Sequence, residues 1–156
     1  MKDIVAILSH IRSVHNVGSI FRTADAAGVE KLFLCGITPT PLDRFKNVRK
    51  DFEKVSLGAE KTVLWEYAKD AYSLILKLKL EGYMICAVEQ ATGSIPYTDF
   101  KPRRKKIALI FGNEIRGVSK NIIRQSDVVL EIPMRGEKES LNVSVAFGIA
   151  VYEMKR

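Results

Sequence analysis

Ile107-Ala108-Leu109-Ile110-Phe111 runs directly into Gly112-Asn113-Glu114-Ile115-Arg116-Gly117-Val118-Ser119. Five apolar residues without alternation describe a strand buried on both faces. Such strands belong to parallel sheets whose crossover helices cover both sides. Outward from it, Ile4–Leu8, Lys31–Cys35, Tyr83–Val88 and Val128–Ile132 read as further short strands. Between them, 17–27 carries a helical face at Val17, Ile20, Phe21 and Ala24, with Gly28 placed to close it. Residues 70–80 form an amphipathic helix ended by Gly82, 119–126 a short helix, and 140–154 the last one, with Ser140 as its N-cap. Residues 36–55, with the charged run Arg44 to Lys54, read as a long loop with room for a short helix, and 92–102 as a second loop. The expectation is one α/β domain over 1–156, a mostly parallel sheet with helices on both faces.

Composition narrows the class. The chain has 156 residues, 25 Lys+Arg against 18 Asp+Glu, net +7, and 47% hydrophobic residues. That excludes a disordered chain, a collagen-like chain and a disulfide miniprotein. The longest uncharged run, Ser140 to Tyr152, is shorter than the ~20 apolar residues of a spanning helix. The opening apolar run Ile4–Leu8 is too short for a signal-peptide core, so a cytoplasmic protein is expected. Cys35 and Cys86 sit inside apolar runs, as buried free thiols do, and with two distant histidines they offer no metal-ligand spacing. The positive charge suits a polyanionic partner without naming one.

Ligands in parallel α/β folds bind beyond the carboxyl ends of strands. The informative segments therefore follow Val88, Phe111 and Ile132. The first glycine pair has Gly-x-x-x-x-Gly spacing, but Val118 stands where a phosphate-binding loop requires Lys. No Gly-x-Gly-x-x-Gly occurs. After Ile132 come Pro133-Met134-Arg135-Gly136, then Ser140-Leu141-Asn142 at the mouth of a nearly all-apolar helix. Asn16 and Arg22 flank Gly18 near the start. Singly, each has an ordinary explanation, Asn16 as a helix cap and Arg22 as a solvent charge.

Together they form a pattern. Asn16-x-Gly18-x-x-x-Arg22-x-Ala24-x-x-x-Gly28, then Phe111-Gly112-Asn113-Glu114-x-x-Gly117-x-Ser119, then Ile132-Pro133-Met134-x-Gly136-x-x-x-Ser140-Leu141-Asn142-Val143-Ser144-Val145-Ala146 resemble, in order, the three motifs of the SpoU (TrmH) family. These are RNA ribose 2′-O-methyltransferases of the SPOUT class. The resemblance implies a C-terminal trefoil knot, a homodimer with its site near the subunit interface, and S-adenosylmethionine as cofactor. Carried over by position, Asn16, Arg22, Glu114, Ser140 and Asn142 match the family's polar active-site residues. Gly112, Ile132, Ser140 and Leu141 match its cofactor loops, and Ala87-Val88-Glu89 more loosely the strand end beside them. Arg22 stands where a base is usually placed, although an always-charged guanidinium anchors a phosphate more readily than it accepts a proton.

Two basic runs, around Arg49 and Lys50 and around Arg103 and Arg104, are candidate RNA contacts alongside Arg22. Three readings follow: a methyltransferase acting on tRNA, the same chemistry on ribosomal RNA, or a non-catalytic RNA-binding module of the same fold.

Overall fold

The computed structural model describes residues 1–156. Seven strands are formed: β1 (Asp3–Ser9), β2 (Lys31–Cys35), β3 (Leu64–Ala68), β4 (Met84–Val88), β5 (Ile95–Pro96), β6 (Lys106–Phe111) and β7 (Val128–Glu131). They make one sheet in the order β3-β2-β1-β6-β4-β7-β5. Every pairing in it is parallel. The uninterrupted apolar run of β6 lies near the centre, between β1 and β4, as its composition requires.

Six helices cover the sheet: α1 (Val14–Ala27), α2 (Lys50–Ser56), α3 (Ala59–Thr62), α4 (Ala71–Leu80), α5 (Lys120–Gln125) and α6 (Val143–Lys155). Alternate strand residues feed two separate cores. Ile4, Ala6, Leu8, Leu32, Leu34, Leu109 and Phe111 pack with Ile20, Phe21, Phe52 and Phe147 of α1, α2 and α6. Val5, Ile7, Ala87, Ala108 and Ile110 pack on the other face with Leu74, Ile75, Leu78 and Ile122 of α4 and α5. Helices on both faces of a parallel sheet are the expected architecture.

Two strands are missing from the sequence reading. β3 is an edge strand whose Leu64, Glu66 and Tyr67 are exposed, so it lacks the apolar run that marks a buried strand. β5 has two residues and lies inside the expected 92–102 loop. Two helix starts differ as well. Ser13, not Asn16, caps α1, accepting the Asn16 N–H at 3.1 Å. Asn142, not Ser140, caps α6, accepting the Ser144 N–H at 2.9 Å, and Ser140 stays in the preceding exposed loop. Both cysteines are free and buried, and burial pushes each thiol up to about 12.

Candidate active site at the strand ends

The turn after β6 is built by its own side chains. Asn113 Oδ1 accepts the N–H groups of Ile115 and Arg116, both at 2.9 Å, and Gly117 N–H donates to Asn113 O at 2.8 Å. A Cβ on Gly112 would sit 2.3 Å from the Gly117 carbonyl carbon, so only glycine lets the turn close. Gly112 thus meets the turn's own backbone. Glu89, at the end of β4, clamps the far side: its Oε2 accepts Val118 N–H at 2.9 Å, and a Cβ on Gly117 would collide with that oxygen. Asn113 Nδ2 also donates to His10 O at 2.8 Å, tying the turn to the end of β1. Asn113 is an organising residue that the site prediction omitted, although its Asx-turn chemistry was visible in Gly-Asn-Glu.

This turn projects Glu114 at the start of α1. Its two carboxylate oxygens accept the N–H groups of Arg12 and Ser13, each at 3.0 Å, and the side-chain amide of Asn16 at 3.4 Å. Partial burial pushes the Glu114 carboxyl up, but these three donors together with Glu114's own N–H outweigh it and leave it below the usual carboxylate range. Asn16, buried at 7% exposure, accepts in turn from Asn142 Nδ2 at 3.0 Å. Asn142, Asn16 and Glu114 therefore form one connected row at the carboxyl edge of the sheet.

Ile132 to Leu141 lie beside this row. From Met134 to Leu141 no backbone N–H has a backbone partner, and the recorded tie is Gln90 Nε2 donating to Glu139 O at 2.8 Å. Leu141 and Ser140 are exposed. A loop with free amides and an open leucine, leading directly into Asn142 of the row, offers hydrogen bonds and an apolar wall to a planar heterocycle. Of the β4 candidates, Val88 and Glu89 reach this end. The Ala87 methyl is fully buried in the core on the α4 side, which leaves it no side-chain contact with a ligand.

The remaining candidates lie elsewhere. Arg22 is exposed on α1 and makes no hydrogen bond or ion pair with Glu114. It lines an open cavity of about 620 Å³ with His15, Ser19, Lys54 and Tyr152. Arg49 is held by Asp51, its Nε and Nη2 donating at 3.1 and 2.8 Å, whereas Lys50 is free and exposed. Arg103 and Arg104 precede β6, so they lie at the opposite edge of the sheet, roughly 20 Å from Phe111 at ~3.3 Å per strand residue. No three His, Cys, Asp or Glu side chains converge as a metal site.

The SpoU rRNA Methylase family model matches residues 3–152. The tRNA (guanosine(18)-2′-O)-methyltransferase of Aquifex aeolicus is 32% identical over 155 residues, covering 99% of this chain and 70% of the relative. Further curated relatives are covered over 58% of their length. An AdoMet-bound rRNA methyltransferase structure from Sinorhizobium meliloti superposes with TM-score 0.88 at 28% identity, covering 97% of this chain and 55% of that one. A structure described as giving insights into 2-OH methylation of C/U34 on tRNA superposes with TM-score 0.81 at 26% identity, over 98% of this chain and 94% of that one. With the motifs, the parallel sheet and the strand-end site in agreement, the chain belongs to the SpoU rRNA methylase family.

Proposed function

We propose that this protein is an S-adenosylmethionine-dependent RNA ribose 2′-O-methyltransferase that acts on tRNA. The observation that carries the reading is the Asn142–Asn16–Glu114 row, which joins all three sequence motifs at one place. The near-complete overlap with the C/U34 neighbour favours tRNA over ribosomal RNA.

The residues present fit the cofactor. Free amides between Met134 and Leu141, with Ile132 and the Gly112 turn, would hold its adenosine portion, and Glu89 would keep that turn in place. When bound, the cofactor supplies an electrophilic methyl group on a sulfonium centre. The protein's own task is to position a ribose hydroxyl and assist loss of its proton. Asn16 is held from both sides and presents a fixed amide toward the site. Glu114 holds the start of α1 and Asn16 in place and would add a negative charge that favours a cationic cofactor. Ser140 and Asn142 border the cofactor loop, with Ser140 free to bond a nucleotide. Arg22 provides a permanently charged fork for a phosphate of the RNA.

The same reading makes the protein a homodimer. Val145 and Tyr152 stand exposed on α6, and Tyr152 shares the Arg22 cavity, so pairing through α6 would enclose Arg22. The C-terminal segment, tied to Gln90 through Glu139 and to Asn16 through Asn142, is the part that the resemblance assigns to a knot.

Calorimetry with S-adenosylmethionine and its demethylated product, followed by ribose-methylation mapping in RNA from a deletion strain, tests the proposal. Cofactor binding and a methylation lost from one tRNA position are expected. Loss from ribosomal RNA would transfer the substrate, and no cofactor binding would leave a non-catalytic module.

A further inference from the structure

The loop between β2 and α2 carries a feature that the methyl-transfer reading does not use. Phe45 is 69% exposed at its tip. One exposed ring is ordinary on a protein surface; what marks this one is the fixed turn and the guanidinium that present it. The tip is not loose. Asp43 Oδ1 accepts the N–H groups of Phe45 at 2.8 Å and Asn47 at 3.0 Å. Asp43 N–H donates to Asn47 O at 2.8 Å, and Lys46 N–H to Asp43 O at 3.0 Å. Leu42 and Val48 close the turn as an antiparallel bridge, and Arg49 N–H donates to Pro41 O at 2.8 Å beneath it. Lys46 is held at φ +64°, a left-handed conformation that a non-glycine residue adopts only where its surroundings impose it.

Positive charge is in excess along this turn: Arg44, Lys46 and Lys50 are exposed, Asp51 is paired with Arg49, and Asp43 keeps its charge while its Oδ1 accepts two turn N–H groups. The Arg44 guanidinium lies over the ring at 4.8 Å from its centroid, covering one face and leaving the other open. An aromatic face backed by a guanidinium, on a turn with excess positive charge, suits a flat, electron-rich ligand that carries negative charge alongside it. An unpaired nucleotide has that chemistry. The turn also leads into α2, whose Lys54 and Val55 line the Arg22 cavity. From Phe45 to Lys54 the chain spans at most roughly 22 Å, using ~3.5 Å per extended and ~1.5 Å per helical residue.

We propose that Phe45 is a stacking platform for an unpaired base of the RNA, flanking the nucleotide to be methylated. This rests on the RNA-methyltransferase reading and adds a binding site outside the cofactor pocket. The platform selects single-stranded or looped RNA over duplex, since a stacked base in a helix has no free face.

The test is fluorescence anisotropy of the full chain with a short labelled single-stranded RNA and with the same sequence as a duplex. Phe45→Ala should weaken single-strand binding about 5- to 150-fold, the range for losing one base–aromatic stack. Phe45→Trp should retain binding. The slope of log affinity against log salt should not change, because no phosphate contact is lost. The residue is exposed, so both variants should melt as wild type does. Unchanged single-strand affinity in Phe45→Ala would overturn the platform alone. So would an equal loss for duplex and single strand, or a changed sedimentation coefficient, which would make Phe45 a protein contact. A wild-type protein that binds neither RNA would instead remove the RNA reading itself.

Discussion

Asn142 Nδ2 donates to Asn16 Oδ1 at 3.0 Å, across 126 residues of chain. The polarity of this bond is set from its two ends. Asn142 Oδ1 is committed to capping α6 at Ser144 N–H, so its nitrogen must face Asn16. Asn16 then offers its oxygen to Asn142 and its nitrogen to the Glu114 carboxylate. Each amide can make its bonds in one orientation only. The row is a pre-organised unit.

Coupling between the two asparagines follows. Asn142→Ala removes a helix cap as well as the bond and should destabilise the fold by about 1–2 kcal/mol. Asn16→Ala leaves Glu114 with one donor fewer. A double-mutant cycle by urea denaturation should return a coupling of about 0.5–1.5 kcal/mol. Strict additivity would show that the bond contributes nothing to the fold.

Glu114 should make the site acid-sensitive. Its folded-state pKa is depressed, so its stabilisation is present above the ordinary value of 4.5 and is lost as pH falls through the lower folded value. Thermal melts of wild type and Glu114→Gln should therefore differ by a constant amount near neutrality. The gap should narrow only below about pH 4.5. A gap that widens in acid would mean the carboxylate is not held by Arg12, Ser13 and Asn16.

Gly112→Ala places a methyl group 2.3 Å from the Gly117 carbonyl carbon and 2.4 Å from Val118 N. Backbone on both sides cannot rotate away, so the turn must open. A loss of about 1–3 kcal/mol is expected, with cofactor binding in calorimetry weakened more than overall stability. Full cofactor affinity in this variant would place the cofactor away from the 112–117 turn.

Arg22 and the surface cations should separate in kinetics. Arg22→Ala should lower single-turnover methylation at saturating RNA by at least about 100-fold while cofactor affinity holds. Arg22→Lys should fail nearly as badly, since a point charge does not reproduce a planar fork. Neutralising Lys50 should instead weaken RNA binding and flatten its salt slope by about 0.7 per lost contact on single strands. Arg103 and Arg104, at the far edge of the sheet, should move that slope less than Lys50 does. An Arg22→Ala enzyme with wild-type turnover would make Arg22 a binding residue only.

The elements themselves were legible in the sequence wherever burial is two-sided or a helix has one apolar stripe. Unbroken runs such as Ile107–Phe111 have a single low-energy use, between two layers of helices, and that pointed to a parallel α/β sheet and to the edge where a ligand is expected. The motifs that identified the family are likewise local strings. β3 escaped because an edge strand keeps polar and exposed residues, and its partner β2 is named by no local signal. The caps show the same division. Ser140 and Asn142 both favour a helix start, and local propensity does not choose between them. Tertiary structure does: Asn16 fixes the amide of Asn142 from a helix 126 residues away, and α6 begins there. Which polar groups meet, and whether Arg22, Arg103 or Glu114 reaches the site, depends on the path of the chain between elements. That path is set by packing between distant segments, which no local window contains.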